Sequence, residues 1–138
     1  MKKKLLALFL AVAVGSTGIV ASAKNNSDTS LPNKKVSFSF SSAAQTDLRA
    51  KEDSSSHYIK NNSGFDLWVR SLNSSNTNLT YKGHAIVKGG QWRIHNSIYE
   101  KGYRSCKLDI TSAKSGVSGY LKGVWSPDSL GSYPFANP

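Results

Sequence analysis

The chain has 138 residues and a formal net charge of +10, from 18 Lys and Arg against 8 Asp and Glu. Its single cysteine excludes an internal disulfide, so folding depends on an apolar core, and the chain is long enough for one such domain. The excess of cations favours partners with anionic surfaces. No basic run beyond the first residues is longer than Lys34-Lys35, which argues against specific recognition of nucleic acid.

The first residues predict a secretion signal. Three lysines at 2–4 precede an uninterrupted apolar run at 5–14, and the small residues Ala21, Ser22 and Ala23 suit a signal peptidase. The apolar run is too short for a stable membrane-spanning helix. We therefore expect a signal peptide at 1–23, cleavage after Ala23, and a secreted, extracellular protein. Removal of the three signal lysines lowers the formal charge from +10 to +7.

Residues 24–34 are polar, and we predict a disordered lead-in there, followed by a single domain at 35–138. Residues 36–41, VSFSFS, alternate strictly, which places Val36, Phe38 and Phe40 on one apolar face of a strand. Residues 44–53 are the one plausible helical segment, with Thr46 or Asp47 as its cap, but because the segment lacks a long apolar stripe we expect one helical turn or none.

Further strands are predicted at 57–60, 65–72, 80–88, 91–99, 103–111 and 118–126. The segments 80–88 and 91–99 have the spacing of a β-hairpin around Gly89 and Gly90. Regularly spaced short strands are typical of all-β domains. We predict an antiparallel β-sandwich of about seven strands, and the pattern leaves jelly-roll and immunoglobulin-like topologies both open.

The period of two also orients the single thiol. Cys106 shares its phase with Leu108 and Ile110, so we predict that it packs in the core as a small apolar residue. An intermolecular disulfide or a catalytic nucleophile would instead need an accessible thiol.

Catalytic and metal-binding patterns are weak. His57, His84 and His95 show no metal-ligand spacing, so we predict no metal and no cofactor. His95, Glu100 and Arg104 could imitate the acid, base and cation of a small secreted hydrolase. Residues 53–57, DSSSH, hold the residue types of a catalytic triad, but adjacency in sequence is not triad geometry. We predict a non-enzymatic protein, with a small secreted hydrolase as an alternative.

The outward strand phases hold aromatic and cationic side chains. Such pairs suit sugar rings, anionic polymers or a protein partner. If a second layer covered these phases, Trp68 and Tyr120 would be core residues instead. The candidate binding residues are Trp68, Arg70, Arg93, His95, Tyr99, Lys107, Tyr120 and Lys122.

Three short segments carry a resemblance. RAKEDSSSHYIK at 49–60, EKGY at 100–103 and GVWSPDSLGSY at 123–133 resemble a group of small, uncharacterised secreted proteins of Gram-positive bacteria, and this resemblance implies no activity and no catalytic residues. In size, signal peptide and all-β character the chain is also similar to the lactococcin 972-like bacteriocins, which implies action on the cell envelope.

These observations lead to one functional expectation. We expect a secreted protein that binds an anionic cell-wall polymer, a membrane surface or an extracellular protein through a basic and aromatic face. A bacteriocin-like toxin that acts on the envelope is an alternative.

Overall fold

The computed structural model describes residues 25–138, so the predicted signal peptide and its cleavage site lie outside the described residues. Short 3-10 turns occur at Phe40–Ser42 and Tyr81–Gly83. The described residues form eleven strands: β1 Thr29–Ser30, β2 Lys35–Val36, β3 Ala44–Gln45, β4 Arg49–Ala50, β5 His57–Asn61, β6 Leu67–Leu72, β7 Ala85–Val87, β8 Gly90–Ile94, β9 Ser105–Ser112, β10 Gly119–Tyr120 and β11 Gly123–Ser126. The predicted all-β class is confirmed.

The strands form two larger sheets and a small ribbon. The first sheet has the order β1-β11-β5-β8, and the second has the order β3-β9-β6-β7, with β4 also paired to β9. Strands β2 and β10 form the ribbon. Neighbouring strands of both sheets and of the ribbon pair antiparallel.

The core lies between the two larger sheets. Ile59 and Trp125 from the first sheet and Val69 and Leu108 from the second are buried in one apolar cluster. Alternate residues of β5, β6 and β9 supply these inward side chains. The arrangement is sandwich-like, as the alternation predicted.

The predicted disordered lead-in at 24–34 is wrong from Asn25 onward, where the segment pairs with a strand and packs on the core. Strand β1 pairs with β11, and Leu31 is buried in the core cluster. The Leu31 amide donates to the Gly123 carbonyl at 3.0 Å. A polar segment can therefore add an edge strand through its backbone, and one apolar side chain anchors it.

The segment at 44–53, where one helical turn or none was expected, forms no helix. Its residues form β3 and β4, which pair with successive parts of β9. Between them, the Thr46 amide donates to the Leu108 carbonyl, and the Thr46 hydroxyl accepts from the Leu108 amide, both at 2.9 Å. Because this segment has no apolar stripe along a helix face, pairing with the buried strand β9 stabilises it more than helix formation would.

The predicted hairpin at 80–99 is also wrong. Strand β7 pairs with β6 in the second sheet, whereas β8 pairs with β5 in the first. The turn at Gly89 and Gly90 carries the chain from one sheet to the other, with Gly90 at a φ of 98°. Because Val87 and Ile94 both point into the core, the two strands face each other across it.

No helix among the described residues is long and apolar enough to cross a membrane.

Candidate binding surface

The predicted binding residues fall in three separate places. Trp68, Arg70 and Lys107 lie on the outer face of the second sheet, on β6 and β9. Arg93, His95 and Tyr99 lie on or just after β8. Tyr120 and Lys122 lie on or just after β10. The single basic and aromatic face expected from the alternation is thus divided.

Trp68 is the centre of an aromatic cluster on the second sheet. The ring of His84 stacks on its indole at 3.7 Å between centroids and 6° between planes. Phe40 meets the indole edge-on at 6.3 Å and 77°. Across the strands, Trp68 is opposite Ile86 on one side and Thr111 on the other. We call Phe38, Phe40, Trp68, Arg70 and His84 the Trp68 face.

The cation of the Trp68 face is paired. Arg70 donates from Nη2 to Oδ2 of Asp109 at 2.5 Å and from Nε to the same oxygen at 3.1 Å. Asp109 is opposite Arg70 in the β6–β9 register, and its side chain is buried. The Arg70 guanidinium also lies 4.8 Å from the Phe40 ring centroid. Arg70 therefore supports the aromatic cluster and does not offer a free charge.

Phe38 and Phe40 do not share with Val36 the apolar strand face that the alternation predicted. They are 52% and 59% exposed, whereas Val36 is buried. After Val36 the chain turns into the 3-10 turn Phe40–Ser42, which Ser39 caps by accepting from the Ser41 amide. The serines that suggested an alternating strand thus bend the chain instead, because their hydroxyls bond the local backbone.

A groove opens between this turn and the sheet. It has a volume of about 140 Å³ and is lined by Phe38, Ser39, Phe40, Trp68 and Thr111. Among the described residues, the buried Nε1 of Trp68 has no hydrogen-bond partner. Buried indole nitrogens usually have a partner, so Trp68, which lines the groove, carries a donor with no hydrogen bond among the described residues.

The second group of predicted residues packs on the C-terminal segment. Phe135 stacks on His95 at 3.4 Å and 12°, and the Arg93 guanidinium lies 4.0 Å from the Phe135 ring. Burial, with a smaller contribution from the charge of Arg93, lowers the pKa of His95. Tyr99 is covered by the guanidinium of Arg104 at 3.7 Å. These aromatic faces are occupied by the protein's own side chains.

An open depression lies beside His95. Its volume is about 460 Å³, and Tyr81, His95, Asn96, Ser97, Glu100 and Pro138 line it. The structure therefore brings together two of the three predicted hydrolase residues. Arg104 points elsewhere, donating to the carbonyls of Tyr99 and Tyr103.

The third group is the most exposed. Tyr120 is 56% exposed and lies opposite Lys35 in the β2–β10 ribbon. Lys122 is exposed as well. The ribbon and the residues that follow it present cations and one tyrosine.

The segments that carry the sequence resemblance meet inside the molecule. Arg49 donates to the Trp125 carbonyl at 3.1 Å and lies 5.5 Å from the Trp125 ring centroid. Lys51 forms a buried ion pair with Asp128. These residues were not among the predicted binding or catalytic residues, and the signal that singled them out was their position in the segments that carry the resemblance.

His57 belongs to the same interior. Its Nδ1 is 2.8 Å from the Pro127 carbonyl, and its Nε2 is 2.6 Å from the Ser71 hydroxyl. Complete burial, with the nearby charge of Lys51, lowers the pKa of His57 to about 3. Its serine partner is therefore Ser71, outside the DSSSH segment, and the pair is closed to solvent.

Cys106 is confirmed as a core residue. Its side chain is buried beside Leu108 and Ile110 in the apolar cluster. Burial, the largest influence, raises the pKa of its thiol to about 12.

Within residues 25–138 no group of three or more His, Cys, Asp or Glu side chains is placed to hold a metal ion.

Comparison with known proteins gives a family. A family model described as a protein of unknown function, DUF2712, matches residues 19–129. The chain belongs to this family, and the match includes residues 49–60 and the first part, 123–129, of the segment at 123–133. No curated protein matches the chain, and no solved structure matches it.

Proposed function

We propose that this member of the DUF2712 family is a secreted, non-enzymatic protein that binds an anionic cell-wall polymer through the Trp68 face. The observation that carries the proposal is the pair of exposed rings, Phe38 and Phe40, beside a groove that reaches Trp68. Neither ring belongs to the apolar core cluster, and a pair of aromatic rings held at this exposure suits contact with a ligand.

The chemistry of the groove suits a sugar ring. Aromatic rings offer flat apolar faces to the C–H faces of sugars, and the unpartnered Nε1 of Trp68 is a donor for a sugar oxygen when the turn carrying Phe40 moves aside. The polymer's negative charge is matched by the protein's overall cationic charge, which acts over distance and raises the encounter rate. Stacking then supplies the contact at the groove.

Retention on purified cell walls tests the proposal. The double variant Phe38→Ala and Phe40→Ala removes two exposed rings and leaves the net charge unchanged. Stacking contacts of roughly 1 kcal/mol each predict a fall in wall affinity of about tenfold or more. Leu130→Ala is the matched control, because Leu130 is 72% exposed and lies outside the Trp68 face.

Anionic liposomes distinguish a wall polymer from a membrane surface. Retention on walls that survives moderate salt, with weak retention on liposomes, supports the proposal, since attraction by charge alone is screened by salt. Equal retention of the double variant and the wild type on walls contradicts it.

A small hydrolase is the second candidate, favoured by the depression that His95 and Glu100 share. The pair could act as acid and base on a bound anionic substrate, although Arg104 does not supply the cation. RNA is a suitable test substrate. Hydrolysis that Glu100→Gln and His95→Gln each abolish would support this function, and the absence of hydrolysis by the wild type removes it.

A further inference from the structure

We propose that Lys51 and Asp128 condense to an amide, so that an isopeptide bond joins the two segments that meet in the interior. The Lys51 ammonium contacts Oδ1 of Asp128, and the two side chains are only 1% and 0% exposed. Lys51 directly follows β4, and Asp128 follows β11, so the bond would close a loop between residues 77 positions apart.

Asp128 is held as an acceptor for nucleophilic attack. Its second oxygen, Oδ2, accepts from the backbone amides of Asn25 at 2.8 Å and Glu52 at 3.0 Å. Two backbone donors on one oxygen form the arrangement that stabilises the oxyanion of a tetrahedral intermediate. Oδ1, which contacts the amine, is the oxygen that would leave.

Lys51 is held equally firmly as the nucleophile. Its Nζ donates to the carbonyls of Asp53 and Ser55, both at 2.6 Å, in addition to its contact with Asp128. These three contacts fix the nitrogen beside the carboxyl carbon. Holding two reacting groups in contact replaces a bimolecular encounter with an intramolecular step.

Burial favours condensation over a lasting ion pair. A charged pair without water loses the hydration of both ions, whereas the amide product is uncharged. The reaction releases one water molecule from a site that bulk water does not reach, so the reverse hydrolysis lacks its reactant. The same two amides that hold Oδ2 can bind the oxygen of the product.

The step balances without a further reactant. One proton passes from the Lys51 ammonium to the Asp128 carboxylate, and the neutral amine then forms a C–N bond to Cγ. The electron pair of the C=O bond moves to Oδ2, where the two backbone amides bind it. The amine's second proton moves to Oδ1, by way of the Asp53 carboxylate 4.0 Å from Nζ. Oδ1 leaves as water, and Oδ2 remains as the amide oxygen.

Trypsin digestion and mass spectrometry of the denatured, purified protein test the bond. Condensation protects Lys51 from cleavage, so residues 50–60 should be recovered joined to residues 123–138, with a mass lower than the sum of the two peptides by one water. The ion pair of Arg70 with Asp109 is an internal control, because a guanidinium is a far poorer nucleophile. The peptide 108–114 should be linear and unmodified.

Variants assign the bond to these side chains. Lys51→Arg and Asp128→Ala should each eliminate the branched peptide, and Asp53→Asn should slow its formation in newly synthesised protein. If those variants do not fold, the wild-type digest decides alone. Separate linear peptides at the masses of their sequences overturn the proposal. Loss of water confined to residues 123–138 overturns it too, because that product is an internal imide of Asp128.

Discussion

Acid should destabilise the fold through His57. Its ring is completely buried, and burial lowers its pKa to about 3 in the folded protein, whereas an exposed histidine in the unfolded chain titrates at about 6.5. Below the unfolded value the unfolded chain binds a proton that the folded protein does not. Stability is therefore fully present above about pH 6.5 and falls as the pH is lowered toward the folded value.

The magnitude follows from the separation of the two pKa values. Between about pH 6.5 and pH 4.5 the linkage costs the wild type about 2 kcal/mol of unfolding free energy. His57→Gln removes the titrating group. The variant should be less stable than the wild type at every pH, but between about pH 6.5 and pH 4.5 it should lose about 2 kcal/mol less unfolding free energy than the wild type loses. The difference between the two slopes of unfolding free energy against pH isolates the contribution of His57, because the wild type and the variant have the same carboxylates.

Urea unfolding followed by tryptophan fluorescence measures the two slopes. Ile59→Val is the control, because it lowers stability at a buried apolar position of the same strand and leaves the His57 ring in place, so it should keep the wild-type slope. Equal slopes for the wild type and His57→Gln would refute the reasoning, since they would mean that the buried ring is protonated in the folded state.

Three further predictions concern the frame of the fold. Gly123 has a φ of 140°, and an added Cβ would lie 1.9 Å from the Lys60 carbonyl oxygen, so Gly123→Ala should lower stability by about 3 kcal/mol or more. Thermal melting checks this, with Gly89→Ala, which adds a Cβ in open space, expected to melt close to the wild type. The Cys106 thiol, buried and with its pKa raised to about 12, should react with a thiol reagent slowly in the native protein and rapidly after denaturation. Arg49→Ala removes the bonds from its guanidinium to residues 25–29, so hydrogen exchange should rise in that segment while β9 stays protected.

The period of two predicted much of the core. Val69, Cys106 and Leu108 lie on one phase of their strands, and all three are buried as expected. The same rule misplaced Phe38 and Phe40, since it cannot tell a strand from a serine-rich turn. Local side-chain bonds decide that choice.

The candidate site was predicted only in part. Strand phase identified Trp68 and Arg70, but the pairing of Arg70 with Asp109 depends on the β6–β9 register. Register is set by tertiary packing, which one strand's pattern does not contain. The contact between Lys51 and Asp128 joins positions far apart in the chain, so local patterns could not predict it.

Binding at the Trp68 face is tested most directly by the indole N–H signals in a nitrogen–proton NMR spectrum. The three tryptophans differ in environment, since Trp68 Nε1 has no partner among the described residues, Trp92 Nε1 donates to the Gly89 carbonyl, and Trp125 lies in the core. On titration with soluble anionic cell-wall fragments, the Trp68 signal should shift and the Trp125 signal should stay in place. A saturating shift at Trp92 with Trp68 unmoved, or no shift at any indole, would contradict binding at this face.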